Sequence, residues 1–216
     1  MFGTHDLLVF VVAGLLLNIT PGPDILYIMG RSATHGWRSG AAAALGIGAG
    51  CLVHIAAAAF GISALLAASA TAFTLIKIAG AAYLVYVGLT LVFASQTAAG
   101  NAPAAGLAPA TIRQVFVQGF FTNALNPKVA LFFLAFVPQF IGADAEHKAL
   151  AFVFLGLVFN FNGTLWNLAV AWFTARAGAK LRGGRVATWL NRCIGAFFVY
   201  LGVRLALAET TGQVAP

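Results

Sequence analysis

Asp24 and Lys128 are an acid and a base set inside apolar sequence. Asp24 falls within "LLLNITPGPDILYIM", residues 15–29, and Lys128 within "FFTNALNPKVALFF", residues 120–133. A carboxylate there can hold an ammonium or carry a proton, and an ammonium can hold a carboxylate. Each lies beside a helix breaker, Pro21-Gly22-Pro23 in the first run and Pro127 in the second, with the polar side chains Asn18, Thr20, Asn123 and Asn126 close by. A proline inside a helix removes a backbone hydrogen bond and clashes with the preceding turn, at about 3 kcal/mol or more. The breaks therefore add bare N–H and C=O groups to whatever the side chains do.

The elements holding these residues are set by composition. The 216 residues are 61% hydrophobic and 8% charged, against about 25% charged in a soluble domain. So little charge cannot coat a water-facing surface, and lipid is the expected solvent. A net charge of +7 would point to nucleic acid in a soluble protein. Here no basic–aromatic patch accompanies it, and no nucleic-acid partner is expected. Cys51 and Cys193 lie in apolar runs without CxxC spacing and read as buried thiols. "MFGTHD" places no Lys or Arg before the first apolar run and no small-residue cleavage site closes it, so residues 7–29 are expected to remain as a spanning segment.

At about 20 apolar residues per crossing, six spans can be drawn: 6–29, 40–66, 73–93, 115–140, 149–175 and 186–207. The fold class expected is all-α, a polytopic membrane protein. With six spans, Arg31, Arg38, Arg113, Arg176, Lys180, Arg182 and Arg185 share one side with no acid, while Asp6, Asp144, Glu146 and Glu209 share the other with Lys148. The positive-inside rule places the basic side in the cytoplasm and both termini outside.

"KIAGAAYLVYVGLTLVFA" from Lys77 and "RCIGAFFVYLGVRLALA" from Arg192 share a basic start, Gly-Ala, Val-Tyr-x-Gly and a closing Leu and Ala. A three-span unit repeated in tandem inserts upside down the second time, the inverted-repeat architecture of many secondary transporters. The expected organisation is a first three-helix repeat over 1–94, a cytoplasmic linker over 95–112, and a second repeat over 113–216. Spans one and four, broken at corresponding places, are the pair that such a repeat requires.

Broken backbone survives in a membrane where it is buried in protein or lines a wet cavity, and a half-helix N-terminus seats an anion. The candidate substrate-binding residues are Asn18, Thr20, Pro21, Gly22, Pro23, Asp24, Asn123, Asn126, Pro127, Lys128 and Asn160. Asp24 and Lys128 each cost about 2.5–3.5 kcal/mol at mid-bilayer on insertion scales. Two readings are open. They face one central cavity, near enough to interact, or Asp24 caps a half-helix while Lys128 snorkels to the cytoplasmic surface. Asn160, Asn162 and Asn167 lie in span five, and Asn160 and Asn167 share a face, lining the cavity or locking helices together. His54 reads as a packing histidine before a proton relay. Gly46 and Gly50 with Ala42 read as a small-residue packing face rather than a nucleotide loop. Tyr83, Tyr86 and Tyr200 fit a path lining or an interfacial belt. The basic run Arg176 to Arg185 reads as topogenic.

"NITPGPD" from Asn18 and "NPKVALFFLAFVPQF" from Asn126, in a chain with six spans, strongly resemble the LysE/RhtB family of amino-acid exporters. The resemblance covers essentially the whole chain and matches Asn18, Pro21, Gly22, Pro23, Asn126, Pro127 and Lys128. It implies an inner-membrane exporter of amino acids or derivatives such as homoserine lactones, driven by proton antiport. The position of Asp24 carries varied polar residues in that family.

The function expected is secondary active export of neutral amino acids such as homoserine, threonine or leucine across the cell inner membrane. Asp24 is the titratable candidate for proton coupling. The partners are a small-molecule amino acid, protons and the lipid bilayer; no cofactor and no metal is expected. Small-residue faces are compatible with a homo-oligomer, since they serve packing within one chain as readily as between two. Two rivals are a carrier of another small solute, such as a metal cation, and an intramembrane enzyme or redox relay. The spans hold few His, Cys or acidic residues for the first, and no HExxH, CxxC or paired acids for the second.

Overall fold

In a computed structural model, residues 2–62, 70–93, 108–142 and 145–177 are described, together with 192, 196, 199, 200, 202, 203 and 206. The described residues are almost entirely helical, with no strand; Thr4 and Ile141 form an isolated antiparallel bridge. Helix α1 (Leu7–Ile19) stops at the first break and α2 (Pro23–Ala57) begins after three intervening residues, continued by a π-helical turn, Ala58–Ile62. Then come α3 (Ala70–Phe93), α4 (Ile112–Ala124), and, past the second break, the short α5 (Pro127–Leu131) with π and 3-10 turns out to Phe140. Helix α6 (Lys148–Ala177) follows. Residues 95–107 of the linker, Cys193 and the basic run beyond Arg176 lie outside the described residues, as does most of 178–216, which holds the sixth expected span.

Among the described residues, Pro23–Gly61 and Lys148–Arg176 are long and apolar enough to cross a bilayer. Ile112–Ala124 and Pro127–Phe140, bent by 44° at the break, together make a third such stretch. Both breaks restart on proline, Pro23 and Pro127, the residue best suited to a first helical position because its missing N–H has no partner to lose there.

The interval between the first two expected spans is not the loop that its charges implied. The chain is helical on both sides of Gly36, which alone turns it at φ +77°, a conformation open to glycine and strained for most other residues. The turn is tight enough for the Ser32 side chain to press against Gly40. Arg31, expected as a loop charge, is instead buried at 4% exposure. It donates to Ala108 O at 2.8 Å and to Gln118 Oε1 at 2.8 Å, beneath the Tyr27 ring.

The expected small-residue face is present where α2 meets α4. A Cβ on Gly46 or Gly50 would run into the carbonyl of Phe116 or Phe120, and one on Gly119 would lie 2.6 Å from Ala43 O. Ala42 is buried in the same cluster with Ile28, Ile47 and Val115. A second core, built on Phe10, Phe132, Phe136, Phe140, Phe152 and Phe159, joins α1, α5 and α6. Its rings stand at 4.6 Å (Phe132–Phe159) to 6.1 Å (Phe10–Phe132) between centroids, within the range in which aromatic pairs attract.

Candidate functional site

The first break gives the site two unequal ends. Thr20 (ψ 122°) and Gly22 (φ −157°, ψ −177°) are extended, so the last carbonyls of α1 lose their helical partners. Gly22 caps α2 without a side chain, and the first-turn amides of Asp24 and Ile25 have no intrahelical acceptor. At the second break Asn126 does cap its helix: its side chain accepts from Lys128 N at 3.0 Å. The N-terminus at the first break therefore has no side-chain cap, while that at the second is capped by Asn126.

The side chains cross between the breaks. Lys128 Nζ donates to Leu17 O at 2.7 Å and to Thr20 O at 3.0 Å, the carbonyls that α1 leaves bare. Asp24 Oδ2 accepts from Asn123 Nδ2 at 2.9 Å and from Asn126 Nδ2 at 3.0 Å. Each break thus supplies the partner for the charge on the other. Asp24 and Lys128 face one cavity yet make no direct ion pair. Neither half of the second reading holds: Lys128 turns inward to α1, and Asp24 binds side chains of the facing break rather than capping its own helix.

The cavity measures about 30 Å³, room for about two waters and less than an amino acid needs. Asn18, Thr20, Gly22, Asp24, Asn123, Asn126, Lys128 and Asn160 all line it, as do Cys51, Thr164 and Asn167. Pro21, Pro23 and Pro127 do not. They are exposed, and their part is to break the helix, because a proline ring has no polar group to offer a ligand. Gly163 makes room for Asn18, since a Cβ there would lie 2.9 Å from its amide, and Gly48 does the same for Thr164 at 2.7 Å. Asn162 is not among the lining residues, nor are Tyr86 and Tyr200, which are exposed; Tyr83 is outside the described side chains.

Three buried polar atoms at the cavity have no hydrogen-bond partner: Asp24 Oδ1, Asn123 Oδ1 and Asn18 Nδ2. Buried polar atoms are nearly always paired, so two acceptors and one donor, all on lining residues, describe what a ligand must bring. His54 stands behind them as a packing group, its Nε2 2.9 Å from Asn123 O and its ring stacked on Phe133. Sequence reasoning missed the polar group in which the buried Arg31 meets the half-buried Tyr27 and the exposed Gln118. Its only signal was an arginine four residues after a tyrosine, which is also what a loop edge looks like.

No solved structure matches the chain. It is 30% identical to an uncharacterized membrane protein of Pseudomonas aeruginosa, over 95% of this chain and 97% of that one. It is also 30% identical to a homoserine/homoserine lactone efflux protein of Salmonella typhi, over 93% and 95% of the two chains. A leucine efflux protein of Salmonella choleraesuis is 26% identical, over 97% and 98%. The model of the LysE type translocators matches residues 15–209. The chain therefore belongs to the LysE type translocator family, whose members are membrane transporters and not enzymes.

Proposed function

We propose that the chain exports a neutral amino acid or close derivative, such as homoserine, threonine or leucine, across the inner membrane in exchange for protons. One observation carries the reading: both broken helices open onto a single cavity whose unmatched atoms complement a zwitterion. The substrate ammonium meets Asp24 Oδ1 and Asn123 Oδ1. Its carboxylate meets Asn18 Nδ2 and the open N-terminus of α2, whose dipole favours an anion. A proton and the substrate ammonium then compete for the Asp24 carboxylate, which is the exchange that antiport requires. The efflux names of the two relatives agree with this substrate class.

The surrounding architecture in this reading is six spans in two inverted repeats, 1–94 and 113–216, joined by a cytoplasmic linker over 95–112, with both termini outside. Its support is the pairing of Thr4 with Ile141, which gathers Asp6 and the Glu146 turn at one end. At the opposite end Arg31 reaches Ala108. Gly202, in the last expected span, lies against Ala81 and Val85 of α3. Exposed apolar side chains such as Leu75, Phe93, Phe161 and Phe173 meet lipid, and a homo-oligomer would use part of the same surface.

Everted membrane vesicles, whose acidified lumen corresponds to the outside, test the export reading. They are expected to accumulate radiolabelled homoserine, threonine or leucine, and to lose it when a protonophore collapses the gradient. Accumulation that survives the protonophore would remove proton coupling, and failure across the whole neutral panel would remove the substrate class.

A further inference from the structure

The Lys128 ammonium occupies a place that broken-helix transporters commonly give to an ion. Unwound carbonyls at the C-terminal end of a half-helix coordinate cations, because those oxygens carry the negative end of the helix dipole. Here Leu17 O and Thr20 O, at 2.7 Å and 3.0 Å, hold a primary ammonium that arrives from α5. Two further facts separate this arrangement from an ordinary buried salt bridge. The one carboxylate on the same cavity, Asp24, makes no ion pair with Lys128 and is held by amides instead. The Thr20 hydroxyl donates to Leu16 O at 2.7 Å and is not among the acceptors of the ammonium, which are Leu17 O and Thr20 O. The ammonium is therefore bound by backbone, as a cation is, rather than by an opposing side-chain charge.

We infer that the end of α1 is a monovalent-cation site whose resident ion is the chain's own Lys128 ammonium. Tethering the ion has two effects. Transport needs no sodium or potassium, since the site is already filled. The fifth helix is also fastened to the first, because the ion that neutralises the bare carbonyls is covalently part of α5. The ligand class follows from the donors: a small monovalent cation with N–H donors suits two carbonyls better than a metal ion, which would want more oxygens than the break presents. The inference goes beyond the export reading, on which only its transport readout rests.

The test uses the full-length protein as wild type, Lys128→Met and Lys128→Arg, in detergent and in proteoliposomes. Melting is measured in choline chloride and in methylammonium chloride at equal ionic strength. Wild type is expected to melt at the same temperature in both. Lys128→Met, with its carbonyls emptied, is expected to melt lower in choline and to recover by about 3 °C or more in methylammonium, as ligand binding to a native site requires. Lys128→Arg keeps a tethered cation and is expected to stay near wild type in choline. In proteoliposomes, Lys128→Met is expected to exchange substrate several-fold faster in methylammonium than in choline. A Lys128→Met protein with one melting temperature in both salts would overturn the inference. So would a Lys128→Arg protein as unstable as Lys128→Met, since charge would then not be what the carbonyls hold. The melting comparison stands whether or not any tested amino acid is carried.

Discussion

Asp24 uses one carboxylate oxygen to accept from two asparagine amides and leaves the other facing the cavity unpaired. Neutral donors orient the group, and Lys128 on the same cavity makes no direct bond to it. A hydrogen bond to a charged group is worth about 1.5–3 kcal/mol, so Asp24→Asn is expected to lower amino-acid exchange by about ten- to a hundredfold, with membrane insertion unchanged. Initial rates in proteoliposomes check this, and full activity in Asp24→Asn would remove the carboxylate from the substrate path. Asn123→Ala removes one of its two holders and is expected to cost less, about fivefold. The chemistry-bearing residues were legible because prolines, asparagines and two opposite charges stand out against apolar neighbours. Which atoms they bind was not, since sequence spacing says nothing of Asn123 reaching across 99 positions to Asp24.

Helix breaks follow from proline, and all three prolines of the two motifs sit where such residues must. The turn at Gly36 was less visible. "SATHGWRSG", residues 32–40, carries the polar residues of a loop, yet one glycine at positive φ kinks the chain and the rest stays helical. No atom lies within 4 Å of a Cβ built there, so any penalty on Gly36→Ala is conformational, about 1–3 kcal/mol. The expected result is a melting temperature lowered by several degrees. Gly61→Ala is the control, also with open space around it but at ordinary φ, and is expected to melt at or slightly above the parent. Gly119→Ala tests the other kind of glycine. Its Cβ would meet backbone at 2.6 Å, and overpacking of about 1–3 kcal/mol is expected to lower melting as well. A Gly119→Ala protein as stable as its parent would mean that the helices part easily there.

At the scale of the whole chain, charge placement carries the proposed orientation, and Arg31 shows its limit. Counted as a loop charge, Arg31 is buried under Tyr27 with Gln118 and Ala108 as its partners. Topology is therefore best tested at other positions. In a version with Cys51 and Cys193 replaced by Ser, a cysteine at Thr4 or Ala145 is expected to react with a membrane-impermeant maleimide on spheroplasts. A cysteine at Arg113 is expected to react only after permeabilisation; the reverse pattern would invert the orientation proposed.

The seam between α2 and α4 limits how such a molecule can move. Gly46, Gly50 and Gly119 bring main chain against main chain, so at those three positions no side chain stands between the helices to bend or slide. Two rods so joined act as a single axle, although they come from opposite halves of the sequence. Whatever swings to admit cargo must then be hung elsewhere, on α1, α5 and their phenylalanine packing, and those parts are where spectroscopic distance probes should first find two populations.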